Sequence, residues 1–213
     1  MRTDDLVRLL ATAAEPVPRH AVERRYALAL GSGLAVSALL MLDLLGLRPD
    51  LGQAVHLPMF WVRLGFVAGL VWASLLATLR LSRPGSRLDR VPTALAAPVL
   101  AIWVIAGIAL AEAAPGTRAD LIFGATWRSC PWLIAMLSLP VFVAVFWALR
   151  GLAPTRLPLA GAAAGLLSGS FGALVYCLHC PELDAPFVGT WYLLGILIPA
   201  LTGSLVGPRL LRW

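Results

Sequence analysis

The chain contains no lysine, and all 17 of its basic residues are arginine. Charge of either sign is scarce: 13% of the 213 residues are charged, against 60% hydrophobic. With a mean hydropathy of +0.84, this composition excludes an ordinary soluble domain. There is no Ser-His-Asp set, phosphate-binding glycine loop or zinc-protease motif, so the common hydrolase and nucleotide-hydrolysing classes have no support. The apolar runs carry no dense polar pathway, which argues against an ion-coupled transporter. No cleavable signal peptide is expected, because residues 1–25 are polar and the first apolar run has the length of a spanning helix. Cysteine and histidine are also sparse, three of each, so the places where they gather carry weight.

What the chain does have is a series of apolar runs of about 20 residues, each long enough to cross a hydrocarbon core about 30 Å thick. Six spans are predicted near 26–47, 57–79, 91–111, 130–149, 158–178 and 187–207. The expected fold is all-α: a polytopic bundle of six transmembrane helices over 26–213, preceded by a short cytoplasmic amphipathic helix within 1–25. Arginine sets the orientation. The N-terminal tail holds five (Arg2, Arg8, Arg19, Arg24, Arg25), and the second loop holds four (Arg80, Arg83, Arg87, Arg90). Two more lie in the fourth loop (Arg150, Arg156) and two at the C-terminus (Arg209, Arg212). The opposite side has only Arg48, Arg118 and Arg128. Positive charge stays cytoplasmic, so both termini are expected inside. Arginines between apolar runs suit topology and anionic lipid; direct contact with nucleic acid is not expected, nor is a small-molecule substrate.

In the tail, Thr3 can cap a helix whose first turn holds Asp4 and Asp5, where carboxylates suit the positive end of the dipole. Leu6, Leu9, Leu10 and Ala13 form one apolar face, and Pro16 and Pro18 end it. So short a helix is marginal alone. It must lie on the bilayer, on the protein's own helices, or in a groove of a partner.

Two charges intrude into the spans, Asp43 and Arg63, at similar shallow depth from one side. Lone intramembrane charges are costly, so the two are predicted to pair or share a polar pocket. The fifth span repeats small residues, Gly161-xxx-Gly165-xxx-Gly169 with Ser168-xxx-Gly172, which places it inside the bundle. Pro98, Pro140 and Pro199 fall within spans and should kink or break them. Trp61, Trp103, Trp127, Trp132, Trp147, Trp191 and Trp213 mostly lie near span ends, as interfacial anchors do.

The densest chemistry is Tyr176-Cys177-Leu178-His179-Cys180-Pro181-Glu182, a turn between the last two spans and on the side of few arginines. The third cysteine, Cys130, opens the fourth span on the same side. In an oxidising periplasm a disulfide there can persist. Cys177-x-x-Cys180 closes a helix, whose negative end should raise its thiol pKa values. Cys130 begins one, with Pro131 after it and Arg128 two residues before, which makes it the expected attacking thiolate. Three readings stay open: a structural disulfide, a redox or metal-sensing pair, and a quinone-linked thiol oxidoreductase. In the second, Cys130 and Cys180 could take His179 and Glu182 as further ligands for a transient thiophilic metal; no other cofactor is implied.

Several segments together resemble a known family. They are Thr3-Asp4-Asp5-Leu6-Val7 with Pro16-Val17, Gly46-Leu47-Arg48-Pro49-Asp50-Leu51, Phe60-Trp61-Val62-Arg63, and Thr126-Trp127-Arg128-Ser129-Cys130. Leu152-Ala153-Pro154-Thr155-Arg156, Leu178-His179-Cys180-Pro181-Glu182 and Trp191-Tyr192 complete the set. Over essentially its full length the chain resembles the NrsF family of negative regulators of sigma F, six-span anti-sigma factors of the bacterial inner membrane. The resemblance implies a cytoplasmic N-terminal region that sequesters an extracytoplasmic-function sigma factor. It also implies two periplasmic cysteines, matching Cys130 and Cys180, that take part in sensing stress such as heavy metals. Cys177 departs from the family pattern and leaves a Cys177–Cys180 alternative. The alternative function is a membrane thiol–disulfide oxidoreductase, which should tolerate loss of residues 1–20 where a sigma anchor could not.

Overall fold

Five of the six long helices carry proline in their first turn, where the missing N–H would have no partner in any case. The computed structural model describes residues 3–5, 21–83, 85, 88–152 and 154–212. Six helices are long and apolar enough to cross a membrane: α1 (Ala21–Leu44), α2 (Pro58–Leu81), α3 (Val91–Glu112), α4 (Cys130–Arg150), α5 (Leu157–Tyr176) and α6 (Ala185–Leu210). Short helices at Leu51–Ala54 and Arg118–Phe123 sit in the connections, and the described residues include no strand. Each of these helices lies within a few residues of an expected apolar run. The largest shift is at α1, which begins five residues earlier because its first turn continues into polar sequence. It stops at Gly46, whose φ of +73° lets the Leu45 and Gly46 N–H groups both bond the Met41 carbonyl.

In the tail, Thr3, Asp4 and Asp5 are helical and exposed. Leu6, Leu9 and Leu10, the expected apolar face, lie outside the described residues.

The helices alternate in direction, so the start of α1 and the end of α6 lie at one end of the bundle. That end carries most of the arginines. Arg25 donates to the Trp147 carbonyl (2.8 Å) and stacks over the Trp147 ring, and Arg150 donates to the Leu210 carbonyl (2.8 Å). The opposite end carries Cys130 and the 177–184 turn.

α5 lies at the centre, with 72% of its apolar window buried, against 11% for α3 and 22% for α1. Its glycines make this possible. A Cβ at Gly161 or Gly165 would collide with the α6 backbone at Gly203 or Pro199, and one at Gly172 would stand 2.7 Å from the Ile134 carbonyl of α4. Backbones in such contact gain dispersion and lose no side-chain entropy. Around this axis α2 presents Phe60, Arg63, Val67, Leu70, Ser74, Ala77 and Leu81 as one buried stripe. α1 docks on α4, with the Ser37 hydroxyl donating to the Leu137 carbonyl (2.7 Å). α3 packs on α2 and on the first turns of α6.

α6 opens irregularly: a single turn Ala185–Phe187, then a π-helical turn Val188–Tyr192, then regular α-helix from Leu193. A wide turn of this kind rotates the following side chains relative to the preceding ones, and such turns often sit at functional sites. Here it delivers Trp191 and Tyr192 to the cysteine end.

Candidate functional site

The site is built on the last turn of α5. Beyond Tyr176 the chain stays tightly wound: the Leu178 N–H bonds the Val175 carbonyl, and the His179 and Cys180 N–H groups share the Tyr176 carbonyl. Pro181 then ends the turn. This winding brings Cys177 and Cys180 onto the inward side, where both are fully buried together with Cys130 at the start of α4. Cys130, Cys177 and Cys180 share one buried cluster with Tyr176 and Tyr192, whose ring centroids are 5.7 Å apart. All three cysteines are free thiols.

Arg63 closes the site from α2. Its guanidinium is fully buried. One terminal nitrogen donates to the Cys180 carbonyl (3.0 Å), the Glu182 carbonyl (2.7 Å) and the Tyr192 hydroxyl (3.3 Å). The other donates to the Cys177 carbonyl (2.8 Å), while Nε has no partner. The ring faces of Phe60 and Tyr192 flank the cation at 5.5 and 5.9 Å. Arg48 adds a second clamp: one nitrogen donates to the Cys180 carbonyl (3.1 Å) and two hold Asp50 in a fork (2.7 and 2.8 Å). That guanidinium, donating straight to the carboxylate, holds Asp50 below its ordinary pKa.

The expected Asp43–Arg63 pair is therefore corrected. Asp43 is exposed on α1, while Arg63 is spent on carbonyls of the cysteine turn. The inward positions of α1 are Ser37 and Met41, and a residue two places past Met41 points about 200° away from it. His179 and Glu182, expected as further ligands of a transient metal, have other partners here. His179 Nδ1 faces the Gly46 carbonyl (3.0 Å), and the Glu182 carboxylate accepts from the Ala125 N–H (2.8 Å). Among the described residues no three His, Cys, Asp or Glu side chains converge as metal ligands.

The thiols also differ from expectation. The Cys130 N–H is occupied by the Thr126 carbonyl, and Arg128 lies over the Trp127 ring at 5.1 Å rather than on the sulfur. The helix end under Cys180, by contrast, is capped by a guanidinium. A hydrogen bond from the Cys130 thiol, followed by the Tyr192 hydroxyl, the Glu182 N–H and the charge of Arg63, lowers the Cys180 pKa to about 6 despite burial. Burial pushes Cys177 up to about 11. Both guanidinium groups of the site, Arg63 and Arg48, thus stand at Cys180.

Three residues here escaped the sequence reading as site residues: Arg48, Tyr176 and Tyr192. Arg48 reads in the sequence as a charge outside the spans and as part of the Gly46–Leu51 segment, with no role at the cysteines. Tyr176 and Tyr192 stand in marked segments, but only the π-helical turn and the last turn of α5 bring both rings to the cysteines. A neighbouring aromatic group, Phe123, Trp127 and Trp191, with ring centroids 5.2–6.0 Å apart, braces the outer side. The Trp191 indole N–H donates to the Ile122 carbonyl (2.8 Å).

A family model described as NrsF, negative regulator of sigma F, matches residues 10–213. A protein of Azospira oryzae named probable anti-sigma-F factor NrsF is 58% identical over 213 residues, covering all of both chains. The anti-sigma-F factor NrsF of Caulobacter vibrioides is 46% identical over 215 residues, again across both full lengths. No solved structure matches the chain. With its full length shared with both relatives, the chain belongs to the NrsF family, the negative regulators of sigma F.

Proposed function

We propose that this chain is a membrane-bound anti-sigma factor, with both termini in the cytoplasm and the cysteine end on the periplasmic face of a bacterial inner membrane. Residues 1–25 hold a sigma factor of the extracytoplasmic-function class, and a change at Cys130 and Cys180 releases it. The observation that carries this reading is the 58% identity, over the whole of both chains, to a relative named a probable anti-sigma-F factor. The arginine distribution supports the orientation, and the free thiols at the low-arginine end support the sensing role.

The change at the thiols is a thiol–disulfide exchange. One sulfur of the pair attacks an incoming small disulfide, whose S–S bond breaks and releases a thiolate; the second sulfur displaces the other half. The product is a Cys130–Cys180 bridge, with two electrons and two protons carried off on two small thiols. Because Arg63, Cys130, Tyr176 and Tyr192 bring α2, α4, α5 and α6 to one point, a bond made there acts on four helices. Two states with different affinity for the sigma factor are what such coupling requires.

The test is a pull-down of detergent-solubilised protein, with and without residues 1–25, read by mass spectrometry. A sigma factor retained by the full-length chain alone is the expected result. A folded full-length protein that retains none would end the reading. For the cysteines, Cys130→Ser and Cys180→Ser are expected to lock the response either on or off. Normal induction in both would remove them from the mechanism.

A further inference from the structure

Arg63 presents an unbalanced account of charge. It is fully buried, and among the described residues no carboxylate pairs with it. Asp43 is exposed, Asp50 is held by Arg48, and the Glu182 carboxylate is turned to the Ala125 N–H. Its partners are three backbone carbonyls and a tyrosine hydroxyl, all neutral. The C-terminal dipole of α5 supplies a partial negative charge, yet a buried cation with one donor unbonded still calls for an anion. Every group that could supply one is a neighbour in the same cluster: Cys130 from α4, Tyr176 from α5, Cys177 and Cys180 from the turn, and Tyr192 from α6. Arg48 adds a second cation on the Cys180 carbonyl. Of these groups Cys180 alone carries both guanidinium groups on its own carbonyl.

We infer that Cys180 rests as a thiolate whose counter-ion is Arg63, which makes Cys180 the nucleophilic sulfur of the site and Arg63 the residue that activates it. The inference deepens the reading of these cysteines as the sensing site, and it assigns the first step to one atom. Cys180 attacks a soft electrophile; the Cys130 thiol, already in contact, is the resolving partner. Cys177, whose pKa is raised by burial, stays protonated and takes no part in the first step.

Thiolate absorbance near 240 nm tests this on purified full-length protein in detergent, with no sigma factor present, so its failure would leave the anti-sigma reading intact. Between pH 8 and pH 5 the wild type should lose one thiolate equivalent, with a midpoint near the value of about 6. Cys180→Ser should abolish the step. Cys177→Ser should leave it, and Cys130→Ser should retain it because serine still donates. Arg63→Met should raise the midpoint by about one pH unit or more, with about a twofold or greater loss of thiolate at pH 7. Arg63→Lys keeps the charge and should stay within about one pH unit of wild type. In a second measurement that needs no variant, a brief iodoacetamide pulse at pH 7 should leave its first label on Cys180: sulfur bonds the methylene carbon and iodide departs. A folded wild type without thiolate at pH 7.5, a step that survives Cys180→Ser, first labelling of another cysteine, or a folded Arg63→Met that titrates like wild type would each overturn the inference.

Discussion

Arg63 and Asp43 are both charged residues within apolar spans, yet they should behave in opposite ways when replaced. Asp43 is exposed on α1 and, among the described residues, no ion pair to it is present, so Asp43→Asn should change thermal stability in detergent by no more than about 0.5 kcal/mol. Arg63→Met leaves the Cys177 and Glu182 carbonyls without their donor, at about 1–3 kcal/mol for each buried group. Arg48 still covers the Cys180 carbonyl. A melting temperature for Arg63→Met equal to that of Asp43→Asn would contradict this picture of the turn. The pH dependence follows from the same cluster. The Cys180 pKa is lower folded, about 6, than in an unfolded chain, about 8.5. Its contribution is fully present above the unfolded value and is lost as pH falls through the folded one. Stability should therefore decline from about pH 8 toward pH 6 in wild type and more weakly in Cys180→Ser, as detergent unfolding curves at several pH values would reveal.

At the level of elements, glycine decides the centre of the bundle. Gly165→Ala places a methyl group against the Pro199 carbonyl backbone of α6, where no side chain can swing aside. The cost should reach or pass the upper end of about 1–3 kcal/mol, whereas Gly107→Ala on α3, with open space around it, should be neutral or slightly stabilising. Equal melting temperatures for the two variants would refute the close approach of α5 and α6. The six long apolar helices and the central place of α5 were legible because length, hydropathy and small-residue spacing write them directly into the chain. The partners of Arg63 were not, because backbone carbonyls carry no residue identity; only a fold can say which turn a guanidinium caps. The π-helical turn at Val188–Tyr192 was equally hidden, since Val-Gly-Thr-Trp-Tyr reads as ordinary helix. Without that turn nothing in the sequence aims the Tyr192 hydroxyl at Cys180. The guanidinium groups at Cys180 were hidden for a related reason. Counting helix ends assigns the dipoles, but not the guanidinium that cancels one of them.

For the whole molecule, the division of labour proposed above separates the two ends. Removing residues 1–20, which stops short of α1 and of Arg25, should abolish capture of the sigma factor while leaving the thiolate titration and the melting temperature of the bundle nearly unchanged. Loss of both together would mean that the tail is part of the bundle's stability rather than an appended hook. The backbone-to-backbone seam between α5 and α6 has a mechanical consequence as well. Gly161, Gly165 and Gly169 meet Gly203, Pro199 and Ile196 over more than two turns, so the pair is a double-walled beam rather than two separate rods. The 20 residues of α5 make that beam about 30 Å long. Cys180 and Tyr192 are at its head, while Leu157 and Gly207 touch at its foot. A push at the head cannot be absorbed by bending one helix, so it arrives at the foot as a displacement of the whole beam.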